Sequence, residues 1–312
     1  FGERVLRIDF KEATDKYVTI YGQTEVQKDL FAAADARGAQ VIDQVEDVEI
    51  HDADTESPSV TFVRGGERER VGTIFVAGCD GSHGVSRETI PLQVIRTFER
   101  DYPFGWIGVL AETPPVSSEL IYANSQRGFA LCSMRNPHLS RYYVQCPLDT
   151  TVEDWTDDRF WTELKSRLPR LVSNRMVTGP SIEKSITPLR SFVAEPLRFG
   201  HLFLAGDAGH IVPPTGAKGL NLAVSDVVYL SRSFIEYFKE KSKDGINRYS
   251  EQALRRVWKA VRFSWWMTTM LHRFPDDGEF GLKIQHAELD YLASSKAAQT
   301  ALAENYIGLP FS

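Results

Sequence analysis

Residues 202–210 read Leu-Phe-Leu-Ala-Gly-Asp-Ala-Gly-His, and no other stretch constrains the fold as strongly. A short apolar strand ends on Gly206-Asp207. A glycine-bearing loop, residues 213–219, then opens a helix expected from about 216–220 to 238. Glycines there let the backbone approach a ligand closely. Free N–H groups at a helix start favour an anion or a polarised carbonyl, and Asp207 can accept hydrogen bonds from a polyol. A tight strand-to-helix turn with an N-terminal cap accounts for these residues equally well, because one glycine-rich loop is a weak signal.

A second such turn, Gly-Cys-Asp-Gly-Ser-His-Gly-Val-Ser-Arg at 78–87, follows a strand ending at Ala77. Asp80 only accepts, whereas His83 and Arg87 offer donors; a turn with a solvated arginine and a surface histidine is the plainer account. Around these turns the periodicity predicts strands at 17–20, 40–42, 45–51, 59–63 and 68–76, with a helix over 24–37 and a hairpin turn at Gly65-Gly66. Residues 96–147 are mostly β, with strands at 106–110, 120–124, 129–134 and 141–144. A helix over 160–168 stops at Pro169, and two long helices cover about 245–271 and 279–306. The Trp258, Phe263, Trp265, Trp266 and Met267 run reads as helix packing.

The 312 residues carry a net charge of -6 with basic residues spread along the chain, which argues against nucleic acid or an anionic membrane as the main partner. Three cysteines without C-x-x-C spacing argue against a disulfide scaffold. The histidines form no H-E-x-x-H pair, so no metal site is expected. No apolar run approaches the roughly 18 residues of a membrane span, and no signal-peptide pattern precedes the first strand. A cytoplasmic protein is the expectation.

Taken together, AGCDG at 77–81 and LAGDA at 204–208 resemble the paired Asp-Gly and Gly-Asp motifs of the class A flavoprotein aromatic hydroxylases. The similarity is closest to members that hydroxylate 4-hydroxybenzoate. It runs through VTIYGQTEV (18–26), YPFGW (102–106), ELIYAN (119–124), RGFALCS (127–133), SRYYVQ (140–145), PPTGAKGLNLA (213–223), RFSWWMT (262–268) and ENYIGLP (304–310). The resemblance implies a mixed α/β fold: an FAD/NAD(P)-binding Rossmann-like domain, a β-sheet substrate domain and C-terminal helices. Segments 1–96, 97–186 and 187–312 are the expected divisions. The family opens with a strand–G-x-G-x-x-G–helix unit. That motif is absent from these residues, and the first is Phe1, so the family's first portion is expected to be lacking here.

The implied reaction is ortho-hydroxylation of 4-hydroxybenzoate to 3,4-dihydroxybenzoate with FAD, NADPH (or NADH) and O2, through a flavin hydroperoxide. A flavin-free remnant that binds an aromatic acid, or a hydroxylase for another hydroxy- or aminobenzoate, stays open as an alternative. By resemblance, Tyr122 lies beside the substrate hydroxyl and Tyr306 continues a proton relay. Ser133, Met134, Arg135 and Tyr143 take the carboxylate end, and Pro214 offers its carbonyl to the hydroxyl. Gln23, Asp207, Lys218, Leu220 and Asn221 match FAD positions, and Arg141 matches a positioning residue near the flavin. His83, Arg87 and Arg190 match pyridine-nucleotide positions. A homodimer through the C-terminal helices is also implied.

Overall fold

A computed structural model describes residues 4–311. The chain forms two compact units, each built from separate stretches of sequence. The first comprises 4–25, 101–189 and 265–311, the second 26–100 and 190–264. The backbone thus passes between units at 25/26, 100/101, 189/190 and 264/265, where the sequence reading draws its divisions at 96/97 and 186/187.

The first unit is organised by an antiparallel sheet. Its strands lie in the order Ser181–Glu195, Arg96–Ala111, Leu139–Cys146, Gly128–Asn136, Ile121–Ser125. Side chains alternate between the faces of a strand. One face therefore collects Ile107, Val109, Ala123, Ala130, Cys132, Tyr142 and Val144, which pack on Phe160, Trp161 and Leu164 of the helix Asp157–Ser166. Thr156 caps that helix by accepting from the Arg159 N–H. The opposite face carries the polar and aromatic residues described below. The helices Gly278–Ser294 and Lys296–Ile307 complete the unit. The sequence predicts one helix over 279–306. Ser295 divides it, because its extended backbone stops the first segment while its hydroxyl accepts from the Ala298 N–H and starts the second.

The second unit holds a three-stranded sheet in the order Arg198–Phe199, Leu202–Leu204, Val76–Gly78. Leu202–Leu204 runs parallel to Val76–Gly78, with Leu202 opposite Val76 and Leu204 opposite Gly78. The strands that lead into the two glycine turns are therefore neighbours. The helices Gly219–Ile235 and Asp244–Leu271 bury Leu222, Tyr229, Tyr249, Ala253 and Val257 against Phe203 and Leu204. A meander of Val45–His51, Ser59–Arg64 and Glu67–Gly72 turns at Gly65-Gly66. Both glycines there are left-handed (φ 58° and 85°), as a two-residue hairpin turn requires.

Residues 17–20 and 40–42 are not strands. Tyr17, Val41 and Ile42 are exposed, and no strand among the described residues pairs with them. Conversely, the 15-residue strand Ser181–Glu195 is absent from the sequence reading, because Glu183, Lys184, Pro188 and Arg190 interrupt its apolar alternation.

Candidate active site

Register builds the candidate site of the first unit. Across three neighbouring strands Tyr122 faces Leu131, and Leu131 faces Tyr143. Tyr143 in turn faces Gly108, whose missing side chain leaves room for the tyrosine ring; a Cβ there would lie 2.7 Å from Tyr143 Cε1. Residues directly opposite share a face, so these side chains form one row. Ser133 and Arg141, themselves opposite one another, form the next row along the strands.

The Tyr122 and Tyr306 hydroxyls are 2.7 Å apart. Burial, with Tyr306 beside it, raises the Tyr122 phenol well above its ordinary value. Burial also raises Tyr306, but the hydrogen bond from Tyr122 works the other way and favours its ionised form. Neither is a standing phenolate at neutral pH. A proton leaving this pair departs from Tyr306 while Tyr122 donates to it, which is the behaviour of a relay rather than of a fixed base.

Arg135 lies where the register shifts between Met134 and Asn136. Such bulges re-aim a side chain, and Arg135 Nη1 donates to Ser133 Oγ at 3.2 Å. Met134 pairs with Ser140, in the row that belongs to the opposite face from Ser133. Arg141 Nε donates to the Tyr143 hydroxyl at 3.1 Å, so Tyr143 keeps its own proton to give to an acceptor. Glu183 Oε1 and Ser185 Oγ hold the rest of the Arg141 guanidinium, at 2.7 and 3.1 Å.

The same face carries a buried stack that spacing does not reveal. The His272 ring stacks on Phe129 and Phe104, with centroids 4.3 and 4.8 Å apart. Its Nε2 accepts from Trp106 Nε1 at 2.7 Å, and its Nδ1 donates to the Thr268 carbonyl at 2.9 Å. Asn124, Gln285 and Arg273 close the end of the helix Asp244–Leu271. Asn124 Nδ2 reaches the Met270 and Leu271 carbonyls, and Arg273 bonds Asn124 Oδ1 and Gln285 Oε1. These residues stand up to 161 positions apart, and no local motif links them.

The second unit carries a candidate of its own at the Gly-Asp turn. Gly206 is left-handed at φ 63°, and a Cβ there would lie 3.2 Å from Ala223 Cβ, so only glycine fits without strain. Within residues 201–210 Asp207 alone is exposed, and its carboxylate is the side chain that this turn presents outward. Leu220 and Asn221, both exposed, sit in the first turn of the helix Gly219–Ile235. Asn221 Nδ2 donates to the Ala217 carbonyl at 2.9 Å. The Pro214 carbonyl accepts from the Ala217 N–H at 2.9 Å and retains one lone pair. An outward carboxylate, a glycine-held turn and an open helix start suit a polyol bearing anionic groups, so these residues fit FAD.

Lys218 is buried over the Phe263 ring, and burial with Arg256 nearby pushes its ammonium down to about 8. Between pH 8 and 10.5 the unfolded chain therefore holds a proton that the folded chain lacks, and stability rises with pH there by about 1.4 kcal/mol per unit. Lys218→Met is expected to abolish that slope. Denaturant titrations of both proteins across this range check it, and parallel curves would contradict it.

Arg87 joins the two glycine turns: Nη1 donates to the Ala208 carbonyl at 3.0 Å and Nη2 to the Ser82 carbonyl at 2.7 Å, with the guanidinium over Phe192. His83 is exposed beside Ser82, Arg190 is half-buried in its strand, and Gln23 is exposed at the start of the helix Gln23–Ala36. No three His, Cys, Asp or Glu side chains among the described residues are grouped to hold a metal ion.

The FAD binding domain family matches residues 2–264. The p-hydroxybenzoate hydroxylase of Acinetobacter baylyi is 58% identical over 306 residues, covering 98% of this chain and 76% of that protein. Tetracenomycin A2 monooxygenase-dioxygenase of Streptomyces glaucescens is 27% identical, and the match spans 79% of this chain but only 46% of that protein. Among solved structures, p-nitrophenol 4-monooxygenase from Pseudomonas putida superposes with a TM-score of 0.72 at 16% identity, over 97% of this chain and 78% of that one. Anhydrotetracycline hydroxylase from Streptomyces rimosus gives 0.72 at 21% identity, over 96% and 59%.

Proposed function

The chain belongs to the FAD-binding family of flavoprotein aromatic hydroxylases, and from that premise we propose that it converts 4-hydroxybenzoate to 3,4-dihydroxybenzoate with NADPH and O2. One observation carries the choice of substrate. The Tyr122–Tyr306 hydroxyl pair shares a sheet face with the donors Ser133, Arg135 and Tyr143. Ser133 stands one strand and two residues from Tyr122, roughly 8 Å by strand geometry, which suits a ring with polar groups at opposite ends.

In this reading Asp207, Leu220, Asn221, Lys218 and Gln23 hold FAD, and Pro214 presents its carbonyl towards the substrate hydroxyl. When bound, FAD supplies the activation of O2, using electrons from the nicotinamide. The chain's own residues do the rest. Arg135 forks onto the carboxylate while Ser133 and Tyr143 add hydroxyl donors, and Arg141 keeps the Tyr143 proton directed away from itself. Tyr122 takes the phenolic proton as Tyr306 passes one on, which raises electron density at the ring carbon ortho to the oxygen. His83, Arg87 and Arg190 are proposed to serve the pyridine nucleotide, with Arg87 also tying the two turns together.

No helix among the described residues is long and apolar enough to cross a membrane, which agrees with the cytoplasmic location we propose. Exposed Phe280, Ile284 and Tyr291 on the helix Gly278–Ser294 support a homodimer. Titration of the purified protein with FAD, followed by loss of flavin fluorescence, tests the cofactor. Saturable binding is expected, and a folded protein that leaves FAD free would refute the reading. Arg135→Lys is expected to weaken 4-hydroxybenzoate about tenfold, because the planar fork is lost. Unchanged affinity by difference absorbance would remove Arg135 from the site.

A further inference from the structure

The Gly206-Asp207 turn is held from behind by a buried pair with no part in the chemistry above. Asp226, on the helix Gly219–Ile235, places Oδ2 2.8 Å from the Gly206 N–H and 2.6 Å from His210 Nε2. Both side chains are 1% exposed. The other carboxylate oxygen, Oδ1, is buried and meets no hydrogen-bond partner among the described residues. A lone buried carboxylate is costly, so two donors converging on a single oxygen give it a specific task.

The neighbouring backbone is tied separately. Tyr249 donates to the Leu204 carbonyl at 2.7 Å, Ala205 N–H bonds the Gly78 carbonyl at 3.0 Å, and Gly209 N–H bonds the Gly206 carbonyl at 2.9 Å. Gly206 N–H belongs to the left-handed residue of the bend, and Asp226 is what it meets.

We propose that Asp226 and His210 are positioning residues for the flavin: their contact holds the Gly206 N–H and so sets the direction in which Asp207 presents its carboxylate. The inference rests on the reading that this turn holds FAD. It predicts that the pair governs cofactor affinity more than overall stability.

The test compares wild type with Asp226→Leu, His210→Phe and Leu230→Ala. Leu230 is a buried core residue on the same helix, so its loss reports on stability alone. FAD affinity is measured by fluorescence, thermal unfolding by circular dichroism, and amide exchange over residues 205–209 by mass spectrometry without FAD. Asp226→Leu is expected to weaken FAD at least tenfold and speed that exchange at least tenfold. His210→Phe, which leaves the Asp226–Gly206 bond in place, is expected to weaken FAD by about threefold. Leu230→Ala is expected to lower the unfolding temperature and leave FAD affinity within twofold.

FAD affinity and exchange at wild-type levels in both Asp226→Leu and His210→Phe would overturn the proposal. So would Leu230→Ala losing as much FAD affinity as they do. If Asp226→Leu does not fold, His210→Phe decides by the same criteria. If wild type itself takes up no FAD, the functional reading is what fails. Exchange then judges the tie by itself: acceleration in the variants upholds it and none overturns it.

Discussion

Tyr122→Phe is expected to bind 4-hydroxybenzoate, oxidise NADPH and return almost no 3,4-dihydroxybenzoate. The substitution keeps the ring between Phe129 and Tyr306 and removes only the hydroxyl at 2.7 Å from Tyr306. The carboxylate donors are untouched, so affinity is expected to change less than threefold. The substrate phenol, however, loses the group that takes its proton. Positioned proton transfer is worth roughly 100- to 10,000-fold, and a fall of at least 100-fold in product formation is expected, with the reducing equivalents appearing as hydrogen peroxide. Product and peroxide assayed per NADPH consumed check this, and a wild-type product yield would contradict it. Tyr306→Phe leaves Tyr122 in place and breaks the relay one step later, so its loss is expected to be smaller.

The second large effect concerns His272. Burial pushes its imidazole down to about 3, because the ring is fully enclosed and lies among Phe104, Phe129 and Trp106. The neutral ring accepts from Trp106 at Nε2, a bond that protonation destroys. Below pH 6.5 the unfolded chain gains a proton that the folded chain refuses, so stability falls with pH until about 3. The slope approaches about 1.4 kcal/mol per pH unit, which integrates to roughly 2.3 kcal/mol between pH 6.5 and 4.5 because the unfolded imidazole is half protonated at 6.5. His272→Phe keeps a ring in the stack but cannot titrate. The stability difference between wild type and this variant, from denaturant titrations, is expected to shift by that amount over the interval. A flat difference would contradict the assignment.

Both effects involve residues whose legibility in the sequence differed. Tyr122 lies in a strand with clear alternation, and its neighbours Ala123 and Asn124 point alternately to core and face as period two requires. The turns at Gly78 and Gly206 were legible because glycine is obligatory where a left-handed or crowded backbone occurs. His272 was not legible. Its partners Trp106, Phe104 and Phe129 come from strands well over a hundred residues away, and nothing within a few positions of it records them. Asp226 and His210 are likewise 16 residues apart, on a helix and on the two-residue strand His210–Ile211, where neither period two nor 3.6 connects them. The strand Ser181–Glu195 escaped because its charged residues serve others: Glu183 holds Arg141, and Lys184 donates to the Trp155 carbonyl. Polar residues with such duties erase the alternation by which strands are read. Residues 17–20 show the opposite error, an alternating run with no strand to pair with.

The most direct test of the account supplies the protein with FAD, NADPH, 4-hydroxybenzoate and isotopically labelled O2, then weighs the product. The expected product is 3,4-dihydroxybenzoate carrying one labelled oxygen. Uptake of FAD and consumption of NADPH with no hydroxylated product would contradict it.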